Sequence, residues 1–224
     1  VDEIRIEKEP TPLRIVATLV VFGAISGTML VLAFLETQPR ILRNQYEAMR
    51  AAVFRVLPGT ESVTMLVIRD GILVPYEGPE GVLPSEPTTF LGTDASGRRI
   101  GYAIPGEGPG FMDTIKVLYG FDPSRRVVIG MEVLDSRETP GLGDKIAFDP
   151  KFLANFETLA VDPEIVPVKR GQKTQENEVD CVTGATISSE AVVRILNESR
   201  KRWDPVLAPA GAARAETDDG ATDR

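Results

Sequence analysis

The chain has 224 residues and a formal net charge of −8, a balance that repels nucleic-acid phosphates and argues against DNA or RNA as a partner. It has no histidine and a single cysteine, Cys181. That excludes Ser-His and Cys-His nucleophile pairs, intramolecular disulfides, CxxC redox motifs, Cys-based zinc sites and iron–sulfur clusters ligated by this chain alone, so any redox chemistry must use an organic cofactor.

A short N-terminal tail (1–14) precedes an apolar run, Ile15 to Leu35, that holds no charged residue and is bracketed by Arg14 and Glu36. As a helix this run is ~31 Å long, close to the hydrocarbon thickness of a bilayer. A cleaved signal peptide has a shorter apolar stretch and a small-x-small cleavage site. Here the run ends in "FLETQPR", so a retained transmembrane helix is expected over 15–35. Arg5, Lys8 and Arg14 before it balance Arg40, Arg43 and Arg50 after it, so charge leaves its orientation open; the short tail favours N-inside. Gly23, Ser26 and Gly27 offer a small-residue face that either receives a partner helix or is a chance pairing.

Residues 36–58 predict a connecting amphipathic helix, with Ile41, Met49, Val53 and Leu57 at roughly helical spacing and a stop at Pro58-Gly59. A soluble domain then covers 59–203. Its first hairpin turns at Asp70-Gly71, and the Pro/Gly-rich stretch from about Gly78 to Gly92 reads as a loop. "RRIGYAIP" is a strand and "GEGPGFMD" a loop. A second hairpin pairs Ile115–Tyr119 with Val127–Leu134, its turn starting at Asp122-Pro123. A short helix follows, capped by Asp149 with Pro150 in first position. The last helix begins near a cap at Ser188 or Ser189, with Glu190 in its first turn, and runs to about Trp203 over an apolar side of Val192, Val193, Ile195 and Leu196. Trp203 closes this helix or meets the membrane interface. Residues 204–224 are rich in Ala, Pro, Asp and Gly without apolar period, and read as a disordered tail. Hairpins and helices without a βαβ rhythm predict an α+β fold.

The candidate chemistry lies at the start of the last helix. A helix N-terminus presents unpaired N–H groups and the positive end of a dipole. Gly184 and Ala185 remove side-chain bulk there, and Thr183, Thr186 and Ser188 add hydroxyls. On these residues alone, a phosphate site and an ordinary capped turn are both open. Cys181, inside the same stretch, reads as a small buried residue.

The string Asp180 to Ser189, "DCVTGATISS", resembles the D-x-x-[ST]-G-A-[ST]-x-[ST]-S signature of the covalent FMN-binding domain family. That family is found in the G subunit of the Rnf electron-transport complex and in the C subunit of the sodium-pumping NADH:quinone reductase. A separate segment, Glu138-Thr139-Pro140-Gly141-Leu142-Gly143, is similar to the family's E-T-P-G-L-G. "GYAIPGEGPGFMDTIKVLYGFD" resembles the Rnf branch more. The resemblance implies that Thr186 is esterified to the FMN phosphate by a magnesium-dependent flavin transferase of the ApbE type. It implies a cofactor site of Thr186, Thr183, Gly184, Ala185, Ser188, Glu138, Thr139, Pro140, Gly141, Leu142, Gly143 and Lys145, without catalytic side chains or metal. Gly141 and Gly143 would let the backbone lie against a flat ring. Arg137 and Lys145 are candidates for holding charge on reduced flavin, or are simply solvated. Asp135-Ser136-Arg137 stands where family members often carry a histidine, which leaves the tuning of the flavin open.

For the whole protein, the resemblance implies an electron carrier anchored in the inner membrane, its flavin domain on the periplasmic or outer side. It would belong to a complex that exchanges electrons between ferredoxin and NAD while moving Na⁺ or H⁺. Its partners would be the other membrane and peripheral subunits and the transferase. Two alternatives stand beside this: the C subunit of the NADH:quinone pump, and a flavin-free membrane-anchored accessory protein.

Overall fold

The computed structural model describes residues 11–79 and 81–207; the tail up to Pro10 and the segment from Ala208 onward lie outside the described residues. The chain divides after Gln45 into two units. The first is helical. Helix α1 runs without interruption from Pro12 to Val56, where separate helices over 15–35 and 36–58 were expected. Pro39 is accommodated inside it, although its ring nitrogen can donate no ladder bond. The described apolar residues of this unit are exposed: Leu19 is 68% and Phe22 66% accessible. Thr18, Thr28 and Thr37 return their hydroxyls to the carbonyls of Arg14, Ala24 and Ala33, each at 2.8 Å, which satisfies these polar groups within the helix itself. The helix is long and apolar enough, by length and composition, to cross a membrane.

The second unit is built on a seven-stranded antiparallel sheet in the order β2-β1-β3-β4-β5-β6-β7. Its strands are β1 Ser62–Arg69, β2 Ile72–Pro75, β3 Thr88–Thr93, β4 Arg99–Pro109, β5 Thr114–Asp122, β6 Val127–Asp135 and β7 Leu159–Ala160. Asp70 and Gly71 turn the first hairpin with φ of 52° and 78°, as a type I′ turn requires. In the β5–β6 turn, Asp122 Oδ1 accepts from Ser124 N at 2.9 Å and Ser124 Oγ at 2.6 Å. Parts of two expected loops are strands. Thr88–Thr93 forms β3, paired with β1 from Ser62↔Thr93 to Val67↔Thr88. Gly106–Pro109 continues β4 opposite Val117–Thr114. Long-range pairing overrides the local Gly/Pro signal in both.

β5 shows why both faces are covered. Ile115, Val117, Tyr119 and Phe121 enter the main core, while Leu118 joins a second cluster with Ala52, Val53, Val56 and Leu57 at the end of α1. The helix end can bed closely because glycines floor it. A Cβ on Gly120 would stand 2.1 Å from the Val56 carbonyl oxygen, and one on Gly130 2.6 Å from it. Arg55 completes the contact through a two-pronged ion pair with Glu132, both bonds 2.6 Å.

The other face carries helices α2 (Pro150–Leu153) and α3 (Thr186–Leu207) and a two-stranded parallel sheet of β8 (Val166–Val168) and β9 (Glu178–Asp180). Asp149 caps α2, accepting from Lys151 N at 2.9 Å and Phe152 N at 3.2 Å, with Pro150 in first position. α3 buries Val192, Val193, Ile195 and Leu196 as its period predicts, and Trp203 is 3% exposed in the main core, neither a helix closure nor an interface anchor. The helix also continues through Asp204–Leu207, with Leu207 buried, so these residues are not tail. An ion-pair group ties its end to the sheet: Arg126 and Arg200 both reach Asp162 and Asp204. This α+β architecture sets the start of α3 beside the chain leaving β6.

Candidate functional site

β6 ends at Asp135, and the chain then crosses toward α3 through Ser136–Leu142 into a 3-10 turn, Gly143–Ala147. Thr139 O accepts from Leu142 N at 3.1 Å and Asp144 N at 3.4 Å, which closes the turn at Pro140-Gly141. Gly141 takes φ +75° there with nothing within 4 Å of a would-be Cβ; it serves the turn.

On the α3 side, Ala185 N donates to Val182 O at 3.0 Å and Ser189 N to Ala185 O at 2.9 Å. The ladder thus begins at Ala185, and the amides of Thr186, Ile187 and Ser188 lie ahead of it. Ser188 and Ser189 are not caps: both are buried inside the helix, and Glu190 lies beyond the first turn. Ser189 Oγ accepts from Val182 N at 3.0 Å and donates to Ala185 O at 2.9 Å, which pins the preceding loop. Gly184 adopts φ +82°, a left-handed turn that suits glycine.

Glu138 joins the two segments. It is 5% exposed. Its Oε2 accepts from Ser188 Oγ at 2.6 Å, and its Oε1 accepts from the amides of Phe111 at 2.9 Å and Met112 at 3.1 Å in the β4–β5 loop. A Cβ on Gly143 would lie 2.7 Å from Glu138 Oε2 and 2.9 Å from Ser188 Oγ. Gly143 is therefore small to make room for this hydrogen bond.

These elements surround a cleft of ≈ 390 Å³. From the expected set, Glu138, Thr139, Leu142, Gly143, Gly184, Ala185, Thr186 and Ser188 line it. Thr183, Pro140, Gly141 and Lys145 do not; they shape the two flanking turns. Arg137 points to Asp113 at 3.6 Å and is largely exposed. Two lining residues escaped the sequence reading, Phe111 and Ile187. Ile187 sits at an unspecified position of the threonine motif, and Phe111 in a stretch read as an ordinary loop; the signal for both is apolar bulk that the fold leaves 56% and 60% exposed. Cys181 is 4% exposed. Burial first, then the charges of Glu190 and Asp180, push its thiol up to about 11, as fits a small packing residue.

A family model described as FMN-binding domain matches residues 110–201, a range containing both motifs. The chain is similar to the G subunit of the ion-translocating oxidoreductase complex of Methanosarcina acetivorans, at 30% identity over 186 residues, 83% of this chain and 91% of that one. It is 29% identical to the G subunit of the Na⁺-translocating ferredoxin:NAD⁺ oxidoreductase complex of Acetobacterium woodii, over 74% of each chain. The fold resembles the C subunit of the Na⁺-translocating NADH-quinone reductase of Parabacteroides distasonis, with a TM-score of 0.59, 17% identity and coverage of 74% of this chain and 94% of that one. It also resembles NqrC of Shewanella oneidensis, with a TM-score of 0.56, 17% identity and coverage of 69% and 91%.

Proposed function

This chain belongs to the family of G subunits of ion-translocating oxidoreductase complexes, and from that premise we propose that it is the complex's membrane-anchored electron carrier, with FMN joined to Thr186 as a phosphoester. The observation that carries the reading is convergence. Glu138, Thr139, Leu142 and Gly143 from one segment and Gly184–Ser188 from another, far apart in the chain, line one cleft with Thr186 exposed at it.

The residues present fit the group. The cleft of ≈ 390 Å³ falls within the roughly 300–1,000 Å³ of small-molecule sites. Thr186 Oγ1 would be the ester oxygen. The leading amides of Thr186, Ile187 and Ser188 and the dipole of a 22-residue helix favour a phosphate there. Gly184 keeps the approach to Thr186 open, and Leu142 and Ile187 supply apolar walls that exclude water. FMN, when bound, supplies reversible electron transfer, and this chain's part is to hold, orient and desolvate it. Histidine is absent from the chain, and a carrier of this kind requires no side-chain acid or base.

α1 would anchor the carrier in the inner membrane with the flavin domain on the outer side, where a covalent tether prevents loss of a cofactor that no local pool replaces. An ApbE-type transferase would install it, and neighbouring subunits would pass electrons between ferredoxin and NAD. The test is the full chain co-expressed with a flavin transferase. A denaturing gel under ultraviolet light should show a fluorescent band, the intact mass should rise by one FMN less one water, and Thr186→Val should lose both. A dark band without added mass in the wild-type chain, or retention of both signals in Thr186→Val, overturns the assignment.

A further inference from the structure

We propose that Phe111, at the tip of the β4–β5 hairpin, is an aromatic wall of the flavin site that packs against the isoalloxazine; this rests on the reading that FMN is held in the cleft. The side chain is 60% exposed yet lines the same cleft as Thr186. Its backbone, by contrast, is pinned from several directions. The amides of Phe111 and Met112 donate to Glu138 Oε1 at 2.9 and 3.1 Å, and Gly110 N donates to Asp113 O at 2.8 Å. The Arg194 guanidinium donates to the Pro109 carbonyl from α3. No Cβ fits at Gly110, where it would stand 2.3 Å from Glu138 Oε1 and 2.8 Å from Asp113 O.

A loop tip ordinarily varies in position and carries small polar residues. This one is clamped, and it places a large ring beside the attachment residue. The clamp is shared: the Glu138 carboxylate that takes the two loop amides also takes the Ser188 hydroxyl at 2.6 Å in the first turn of α3. One buried group therefore sets the spacing between Phe111 and Thr186. A preformed apolar wall facing a polar attachment point suits a ligand with a flat apolar end and a charged end. Met112 and Phe148 are comparably exposed, at 63% and 59%, but neither lines the cleft.

The test uses the flavinylated full chain in detergent. In Phe111→Trp an indole placed against the flavin should donate an electron to its excited state at contact range. Flavin emission and lifetime should fall several-fold, while Phe148→Trp leaves both unchanged. In Phe111→Ala, the iodide quenching constant of the flavin should rise several-fold as the wall is removed. Equal emission and lifetime in the two tryptophan variants, with an unchanged iodide constant in Phe111→Ala, overturns the proposal; if Phe111→Ala also weakens association with the other subunits, the ring is a partner contact. The covalent fluorescent band, read in each variant, separates this failure from failure of the Thr186 assignment.

Discussion

Glu138 and Ser188 should be energetically coupled, and the structure sets the size of that coupling. Their hydrogen bond is 2.6 Å long, and the two residues are 5% and 3% exposed. A bond to a charged partner in such a site is worth about 1.5–3 kcal/mol. Ser188→Ala removes the donor and leaves Glu138 Oε2 buried and unpaired. Glu138→Ala removes that acceptor and also the partner of the Phe111 and Met112 amides. Those amides sit on an exposed loop where water can reach them, so each adds only about 0.5–1.5 kcal/mol. Glu138→Ala should therefore cost about 2.5–6 kcal/mol in all, and Ser188→Ala less. The double variant should cost less than the sum by about 1.5–3 kcal/mol, the signature of a shared interaction. Denaturant unfolding of the full chain in detergent can follow Trp203, the single tryptophan, which is 3% exposed and reports on this domain alone. Additivity within about 0.5 kcal/mol would refute the reasoning and reduce Glu138 to a loop tether.

Three further outcomes are expected. Cys181, with its thiol raised to about 11, carries about one thiolate in a thousand at pH 8, so maleimide should label it only after denaturation; rapid labelling of the native chain would contradict its burial. Gly120→Ala forces a Cβ to 2.1 Å from the Val56 carbonyl oxygen and should destabilise the domain by about 3 kcal/mol or more. Gly141→Ala, with open space but φ +75°, should cost only about 1–2 kcal/mol; a reversed order in unfolding midpoints would show that α1 does not bed on the sheet as described. The Arg126 guanidinium, hydrogen-bonded to Asp162, holds that carboxyl below its ordinary range. A depressed folded value means its stabilisation is present above the unfolded value of about 3.9 and is lost as pH falls through the folded one. Trp203 fluorescence during acid titration should then show a shallower loss below about pH 4 for Asp162→Asn than for the wild type, and identical acid profiles would remove Asp162 from that response.

Some of this architecture was legible in local chemistry. The uncharged run from Ile15 to Leu35, the Asp70-Gly71 turn, the Asp149-Pro150 helix start and the apolar stripe of α3 each rest on residues within a few positions of one another. The misreadings share a cause. Thr88–Thr93 looks like a loop because it adjoins a Pro/Gly-rich stretch, and Gly106–Pro109 because glycine and proline dominate it, yet β3 is held by β1, and a Cβ at Gly106 or Gly108 of β4 would stand 3.0 or 2.8 Å from Ile195 of α3. Pro39 and Pro205 mark boundaries by local preference and sit inside helices. In the two strands a distant partner outweighed that local preference.

The same division runs through the site. The sequence by itself marked the hydroxyl- and glycine-rich start of the last helix as a candidate phosphate site or a capped turn, because such residues at a helix start are a local pattern; Thr186 as the attachment point and Glu138–Gly143 as its companion segment came from the family resemblance of the two motifs. It also excluded intramolecular disulfides, Cys-based zinc sites and histidine-based chemistry in this chain, since those residue types are missing or single. Only the tertiary structure decided that Glu138 is a buried clamp, that Gly143 makes room for it, that Ser188 is its partner and that Phe111 stands at the cleft. Those roles depend on hydrogen bonds spanning 27 and 50 residues. No periodicity or spacing encodes such contacts, because they form only when the sheet brings the β4–β5 tip, the β6 exit and the start of α3 to one place.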